Sequence, residues 1–220
     1  MAVRKKLCPV NPCSGVEFPT SLKGPFRPHD VSWSEQQRIE SRAPPYFVNV
    51  IPIITETGLR VYKELAPMRK DQVDLVNAVV WIPKSKTPNG VAEVPLTDIA
   101  VEAFRSQLEM SGNGPWLFPS HRSPLEYQKS FRSAWSTSLR RAGIPYFRLY
   151  DLRSTDATRL SAGGVADEWL TQLLRQGNSA VFKKYSRMKL QMKREALQKL
   201  NRHANELGSR SDTALAQKGV

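Results

Sequence analysis

The chain has few of the residues from which disulfide frameworks and metal sites are built. Its 220 residues include only two cysteines, Cys8 and Cys13, and three histidines that lie far apart in the sequence. A zinc site needs several such ligands at close spacing, and a small disulfide-stabilised secreted domain needs more cysteine pairs. We therefore expect no zinc site, and reduced thiols in a cytoplasmic protein.

Long apolar segments are also absent. No run of about 18 apolar residues occurs, which is the minimum for a membrane-spanning helix. The first residues, "MAVRKKLCPV", lack the apolar core of a signal peptide. We therefore expect a protein that is neither exported nor inserted in a membrane. A chain of this length suits one domain that buries its core without cross-links.

The charge balance is strongly basic. The sequence has 33 Lys and Arg against 20 Asp and Glu, a formal net charge of +13. Such an excess favours a polyanionic partner, nucleic acid first and an anionic membrane surface second. A protein that is merely basic is the alternative.

Helical patterns cover most of the chain after a proline-rich start. Ser32 and Glu35 form a capping box that begins a helix reaching towards Pro44. The apolar stretch 46–58 predicts a second helix, kinked at Pro52 and ended by a glycine. Further predicted helices cover residues 59–68, 98–110, 131–142, 151–162, 167–174, 179–188 and 189–206.

One stretch has the pattern of strands. Residues 78–96 are rich in Val and Ile and are interrupted by Asn89-Gly90, a typical hairpin turn. Pro83 and Pro95 place these strands at a sheet edge. The predicted fold class is therefore mainly α with a small antiparallel β-sheet (α+β).

The helix that begins near residue 151 carries a candidate anion site. Asp151 can cap it, and Leu152 and Leu160 should face the core. Arg153 then lies in the first turn, where backbone N–H groups also point outward, so the helix start could bind an anion. The alternative is a surface arginine on an ordinary helix.

Four motifs of this sequence resemble those of the tyrosine recombinases, the family of the phage integrases and Xer-type recombinases. Their order and usual spacings are those of the family, over roughly residues 35–188. The resemblance implies the tyrosine-recombinase catalytic-domain fold. The motifs are "TGLRVYKEL", "SKTPNGVAEVPL", "YDLRSTDATRLSAGGV" and "LTQLLRQGNSAVFKKYSRM".

The resemblance also implies a reaction and the residues that perform it. A site-specific recombinase or integrase cleaves and rejoins DNA strands through a 3′-phosphotyrosyl intermediate. Tyr185 matches the nucleophile, and Arg60 and Arg153 match the arginines that clamp the phosphate. Lys86 matches the general acid, although Lys84 could serve instead.

Several family positions carry other residues. Tyr150 stands in place of a histidine, Gln176 in place of a histidine or tryptophan, and Ser154 in place of a further histidine. The family carboxylate aligns with Lys63, although Glu64 is adjacent. Tyr150 and Gln176 can donate hydrogen bonds, but neither acts as a base near neutral pH. We therefore expect a slow enzyme or one that uses water as the base.

Domain organisation and partners follow from the same resemblance. Residues 1–30 would be a linker or arm, the end of a missing N-terminal core-binding domain, and residues 31–188 the catalytic domain. Residues 189–206 would form a C-terminal basic helix, followed by a disordered tail at 207–220. The implied partners are double-stranded DNA and further copies in a homo-tetramer held through the C-terminal helix, with no cofactor, no metal and no membrane.

Other functions fit parts of the pattern. A truncated or degenerate relative could bind DNA without catalysis, and a type IB topoisomerase would relax strands by the same chemistry. A basic helical adaptor for RNA or protein is a third alternative. The single residues have alternatives of their own: Tyr185 could be a plain surface tyrosine, and Arg60 could cap a carbonyl or pair with Glu64.

Overall fold

The computed structural model describes residues 28–83, 92–123, 126–175 and 190–203, without the side chains of 190–192. Within these ranges the chain forms α-helices and one three-stranded antiparallel sheet, so the predicted fold class is confirmed. The helices are α1 Trp33–Glu40, α2 Pro45–Val48, α3 Val50–Thr57, α4 Asp98–Met110, α5 Arg132–Ala142, α6 Asp151–Ala162, α7 Asp167–Leu173 and α8 Leu190–Gln198. The strands are β1 Val73–Asp74, β2 Val79–Ile82 and β3 Ala92–Pro95. In the described part of the chain, no helix is long and apolar enough to cross a membrane.

Helix α3 lies at the centre of the main core, where it packs on α4 and α6. Its side chains Ile51, Ile53 and Ile54 have no solvent exposure. The left-handed Gly58, with φ of 56°, ends α3, and Arg60 follows two residues later. Because α6 carries Arg153, the packing of α3 on α6 brings the two candidate phosphate-binding arginines to one place.

The N-terminal capping box is confirmed. The Ser32 hydroxyl accepts a hydrogen bond from the Glu35 backbone N–H at 3.1 Å, and the Glu35 carboxylate accepts one from the Ser32 backbone N–H at 3.1 Å. The helix that it begins, α1, ends at Glu40, ahead of the proline pair.

The expected kink at Pro52 is wrong. The helix is interrupted at Asn49, between α2 and α3, and Pro52 lies in the first turn of α3. A proline is tolerated there because first-turn N–H groups have no partner within the helix. A continuous helix would instead have forced the Pro52 ring against the Val48 carbonyl.

The expected helix at 59–68 is also shorter than predicted. Residues 61–65 form one wide turn, in which the Leu65 N–H bonds to the Arg60 carbonyl at 3.1 Å. The Ala66 N–H bonds to the Val61 carbonyl at 2.7 Å in the same manner. These bonds span five residues, as in the π-bulges that often occur at functional sites.

The sheet differs from the expected edge hairpin. Strand β2 pairs with β3, as expected, with Val80 opposite Val94. Strand β2 also pairs with the short strand β1 through Val73. Strand β2 is therefore the central strand, and Pro83 lies just beyond its end. The predicted turn at Asn89-Gly90 lies outside the described residues.

The start of α6 also differs in detail. Tyr150 is the N-cap residue, and the Asp151 carboxylate makes no capping bond to the helix. It accepts a bond from the Arg148 side chain instead, at 2.7 Å. Leu152 and Leu160 are buried, as predicted.

The C-terminal segment packs on its own chain. Helix α8 ends at Gln198, well before the predicted end at 206. Its buried Ala196 and Leu197, with Leu200, pack in a second apolar cluster that includes Leu160 and Leu173.

Two polar contacts fix the segment after α8. The Arg202 guanidinium donates two hydrogen bonds to the buried Glu56 carboxylate, at 2.9 and 2.6 Å. The Asn201 N–H donates to the Arg159 carbonyl at 3.0 Å. A Cβ at Gly163 would overlap the Lys199 carbonyl oxygen, so this approach requires glycine.

Candidate active site

Arg60 follows α3 in an extended backbone conformation, and its side chain is 23% exposed. Its guanidinium forms an ion pair with Glu64, and the Glu64 carboxylate also accepts the Arg60 backbone N–H at 2.8 Å. A second guanidinium nitrogen donates to the Arg175 carbonyl at 2.9 Å. Arg60 therefore makes both contacts expected of a structural arginine, while part of its side chain still faces solvent.

Arg153 is 3% exposed, so the alternative of a surface arginine is wrong. Its two terminal nitrogens donate to the carbonyls of Gly58 and Leu174. Burial, followed by the nearby charges of Arg175 and Arg60, lowers its pKa to about 10. The guanidinium therefore stays cationic at neutral pH, in a site that favours the arrival of a negative charge.

Glu64 supplies the carboxylate of the site, while its neighbour Lys63 is exposed. Burial alone would raise the pKa of Glu64, but Arg175 and the hydrogen bond from the Arg60 backbone outweigh it and the pKa is lowered. An ionised Glu64 thus holds two guanidinium groups, those of Arg60 and Arg175.

Arg175 belongs to this cluster, although the sequence analysis did not single it out. The residue is 2% exposed, and its guanidinium donates to the Glu64 carboxylate at 2.9 Å and to the Gly58 carbonyl at 3.1 Å. The only sequence signal was the arginine in "LLRQG", where the family motif has glycine.

Asp156 lies one turn beyond Arg153 on α6 and is 2% exposed. Burial, followed by the charge of Glu56, raises the pKa of Asp156 to about 8. The carboxyl is therefore mostly protonated at pH 7. A Cβ at Gly58 would lie 2.6 Å from an Asp156 carboxyl oxygen, so the first motif needs glycine both for its positive φ and for this approach.

Tyr150 lies at the surface, 51% exposed, in the turn that precedes α6. The side-chain contact between Arg148 and Asp151 closes this turn. Tyr150 and Arg153 share one cleft of about 320 Å³. Its remaining lining residues are Pro28, Asp30, Ser154, Ala157 and Thr158.

The other predicted site residues cannot be placed. Lys86 with its alternative Lys84, Gln176 and Tyr185 lie outside the described residues. Of the predicted set, the structure brings together Arg60 and Arg153, with Tyr150 beside the latter. In the described ranges, no group of three or more His, Cys, Asp or Glu side chains could hold a metal ion.

The cluster carries an excess of positive charge. Three guanidinium groups, those of Arg60, Arg153 and Arg175, surround one ionised carboxylate, that of Glu64, and Asp156 is largely neutral. Such a site attracts an anion, and planar guanidinium groups suit the oxygens of a phosphate. The cluster is therefore suited to bind a phosphate and to stabilise charge that develops on it.

Comparisons with known proteins show the family of this chain. The sequence profile described as "Phage integrase family" matches residues 35–207. The integrase of Salmonella phage P22 is 30% identical over 129 residues, which are 53% of this chain and 33% of that protein. The chain thus spans about one third of the length of this curated relative.

Solved structures show the same fold. The integrase of mycobacterium phage Brujita superposes with a TM-score of 0.65 at 24% identity, over 91% of this chain and 67% of that one. The Tn1549 transposon integrase in complex with a circular intermediate DNA gives a TM-score of 0.64 at 16% identity, over 90% and 74%. A XerA recombinase gives 0.59 at 24% identity, over 82% and 68%. The described residues therefore have the tyrosine-recombinase catalytic-domain fold.

Proposed function

Because this chain belongs to the phage integrase family, we propose that it is the catalytic part of a site-specific recombinase that cleaves and rejoins double-stranded DNA. One observation supports this proposal most directly. Arg60 and Arg153, which lie in separate motifs, donate to the carbonyls of adjacent residues, Arg175 and Leu174. These neighbouring anchor points support the proposal that the two guanidinium groups share one phosphate.

The proposed reaction is a transesterification at a DNA phosphate. The Tyr185 phenol oxygen attacks phosphorus, its proton passes to water, and a bond from phosphorus to the tyrosine oxygen forms. The bond to the 5′ oxygen breaks, and Lys86 protonates the leaving oxygen. Arg60 and Arg153 stabilise the charge on the phosphate oxygens in the transition state. Rejoining reverses these steps.

At two positions this chain differs from the family motif in a way that affects how the proton leaves Tyr185. Tyr150 occupies the place of a family histidine and lies exposed in the cleft that Arg153 lines. Its hydroxyl can donate a hydrogen bond to a phosphate oxygen, as the Gln176 amide can. Neither is a base near neutral pH, so we propose that water accepts the proton and that cleavage is slow.

We propose that several copies assemble on DNA. One of the solved structures with this fold is a lambda integrase tetramer bound to a Holliday junction. The C-terminal segment, residues 189–206 in our proposal, which includes α8, would contact a neighbouring copy. Because the apolar side of α8 packs on its own chain, that contact must use its exposed side, where Arg194 lies, or follow release of the helix.

The remaining domain boundaries stay proposals as well. Residues 1–30 would be the arm that follows a separate DNA-binding domain, residues 31–188 would be the catalytic domain, and residues 207–220 would form a tail. The assembly is tested by light scattering, which measures the mass of the complex between the protein and DNA. The DNA is the captured fragment from the plasmid assay described below. Arg194→Glu should reduce the mass of the complex, and Arg105→Glu on α4 is the matched control.

Covalent capture on plasmid DNA tests the reaction. The protein is incubated with supercoiled plasmid, the mixture is quenched with SDS, and protein attached to DNA is measured. We expect attachment with the natural sequence and none with Tyr185→Phe. Sequencing of the captured DNA would also reveal the cleaved site.

Each outcome has a clear meaning. Attachment without Tyr185 would overturn the assignment of the nucleophile. No attachment, despite salt-sensitive DNA binding and after restoring a preceding DNA-binding domain, would favour a non-catalytic DNA-binding relative. Relaxation of the plasmid without exchange between two captured sites would instead indicate a topoisomerase of type IB.

A further inference from the structure

Arg175 combines two features that are each unfavourable for an arginine. Its backbone is left-handed, with φ of 53°, which a residue with a Cβ rarely adopts. Its charged side chain is 2% exposed, and a buried charge needs strong compensation. Glycine would suit the backbone without either difficulty. The guanidinium must therefore make contacts that outweigh both effects.

Those contacts join separate motifs of the active site. The Arg175 guanidinium donates to the Leu173 carbonyl at 2.8 Å, to the Gly58 carbonyl at 3.1 Å and to the Glu64 carboxylate at 2.9 Å. Its own backbone carbonyl accepts a hydrogen bond from Arg60 at 2.9 Å. Arg175, which lies two residues after the end of α7, thus binds both Gly58 and Glu64 of the first motif.

Each phosphate-binding arginine also shares an acceptor with Arg175. The Gly58 carbonyl accepts from both Arg153 and Arg175, and the Glu64 carboxylate accepts from both Arg60 and Arg175. A change in the Arg175 side chain therefore alters the partners of both guanidinium groups at once.

Charge adds to this geometry. Arg175 is the third cation around a single ionised carboxylate, so it makes the site more positive before any anion arrives.

We propose that Arg175 is a positioning residue of the cleavage reaction, which fixes Arg60 and Arg153 in the geometry that binds the scissile phosphate. This inference rests on the proposed function. Arg175 acts through the other two arginines. Removing it should slow the chemical step much more than it weakens DNA binding.

Substitutions at this position separate a positioning role from a purely structural one. Arg175→Gly suits the left-handed backbone, so the fold should persist, and Arg175→Lys keeps the charge without the planar fork. Arg159→Lys is the matched control, because Arg159 is equally buried but bonds to Gln36 and Val31, away from the clamp.

The readouts are the rate of SDS-stable attachment to supercoiled plasmid at saturating protein, the Kd for that plasmid, and the unfolding midpoint in urea. For Arg175→Gly we expect a rate about 100-fold lower, with the Kd changed less than threefold. For Arg175→Lys we expect a partial recovery, to a rate about tenfold below the natural one, because lysine keeps the charge but not the planar fork. Arg159→Lys should lower the unfolding midpoint and leave the rate of the folded protein unchanged.

The outcomes separate this inference from the proposed function. If the natural sequence forms no covalent complex, even with a DNA-binding domain joined ahead of it, the proposed function fails. If it does and Arg175→Gly attaches at the natural rate, the positioning role is overturned and the function stands. If Arg175→Gly does not fold, the test rests on Arg175→Lys. An attachment rate in Arg175→Lys equal to that of the natural protein would likewise overturn the positioning role.

Discussion

Arg153 shows how one side chain links the fold to the proposed chemistry. Its planar guanidinium reaches the carbonyls of Gly58 and Leu174 at the same time, which a lysine ammonium cannot reproduce. Arg153→Lys should therefore slow covalent attachment to plasmid DNA about 100-fold or more. The exposed Arg141→Lys on α5 is the control and should be neutral. If Arg153→Lys attached to DNA at a rate within threefold of the natural protein, the proposed role of Arg153 in binding the phosphate would be contradicted.

Asp156 predicts how stability depends on pH. Its pKa is raised to about 8, against about 3.9 in an unfolded chain. The stability that its neutral form contributes is fully present below about pH 4 and is lost as the pH rises through about 8. The folded state binds the extra proton in this window. The charged groups that face the carboxyl are Glu56, Arg153, Arg159 and Arg175.

Asp156→Asn tests this dependence. The free energy of unfolding of the natural protein should fall between pH 5 and pH 8, by about 1.4 kcal/mol per pH unit at most. Asp156→Asn should remove most of that slope, because its amide carries no charge at any pH. Urea unfolding at several pH values measures both, with the exposed Asp71→Asn as the control. Equal slopes in all three proteins would show that Asp156 titrates normally.

At the scale of elements, the C-terminal segment is held by an ion pair with the core. Glu56 on α3 is fully buried and takes two hydrogen bonds from Arg202. Arg202→Ala should cost about 3–5 kcal/mol, because it leaves a buried carboxylate without its cation. Arg194→Ala removes one exposed hydrogen bond to the Asn77 carbonyl and should cost about 1 kcal/mol or less.

Chemical denaturation of the two variants measures this difference. The double variant Glu56→Gln with Arg202→Met should regain much of the lost stability, since it leaves no unpaired charge. A loss below about 1 kcal/mol in Arg202→Ala would mean that the segment is held by its apolar contacts alone.

Elements whose ends are set by local chemistry were predictable from the sequence. The capping box at Ser32 and the helix end at Gly58 depend only on neighbouring residues, and the structure contains both. The interruption of the second helix was misplaced from Asn49 to Pro52, because the sequence does not show on which turn of a helix a proline will lie. That choice depends on how α3 packs in the core.

The candidate site was predictable only in part for a similar reason. Arg60 and Arg153 stand in recognisable motifs, and the structure brings them together. The pairing of Glu64 with Arg175 joins residues 111 positions apart, so no local pattern reports it. Arg175 even contradicts the local preference for glycine at positive φ, and only its partners explain it.

At the scale of the whole molecule, net charge makes a simple prediction. With a net charge of +13, binding to duplex DNA should release many counterions. If the protein contacts six or more phosphates, its affinity should fall by about 10³ or more between 50 and 200 mM salt. Fluorescence anisotropy with a labelled duplex measures this, with polyglutamate as a competitor that tests for charge alone. A change below threefold would contradict binding through the phosphate backbone.

The pairing of Glu56 with Arg202 also bears on how the protein is made. Residue 56 leaves the ribosome early, whereas its cation is synthesised 146 positions later. Until then, burying the Glu56 carboxylate at the centre of the helical core is costly. The core of the domain should therefore be less stable during most of translation. It should reach its full stability only when the segment after α8 has emerged.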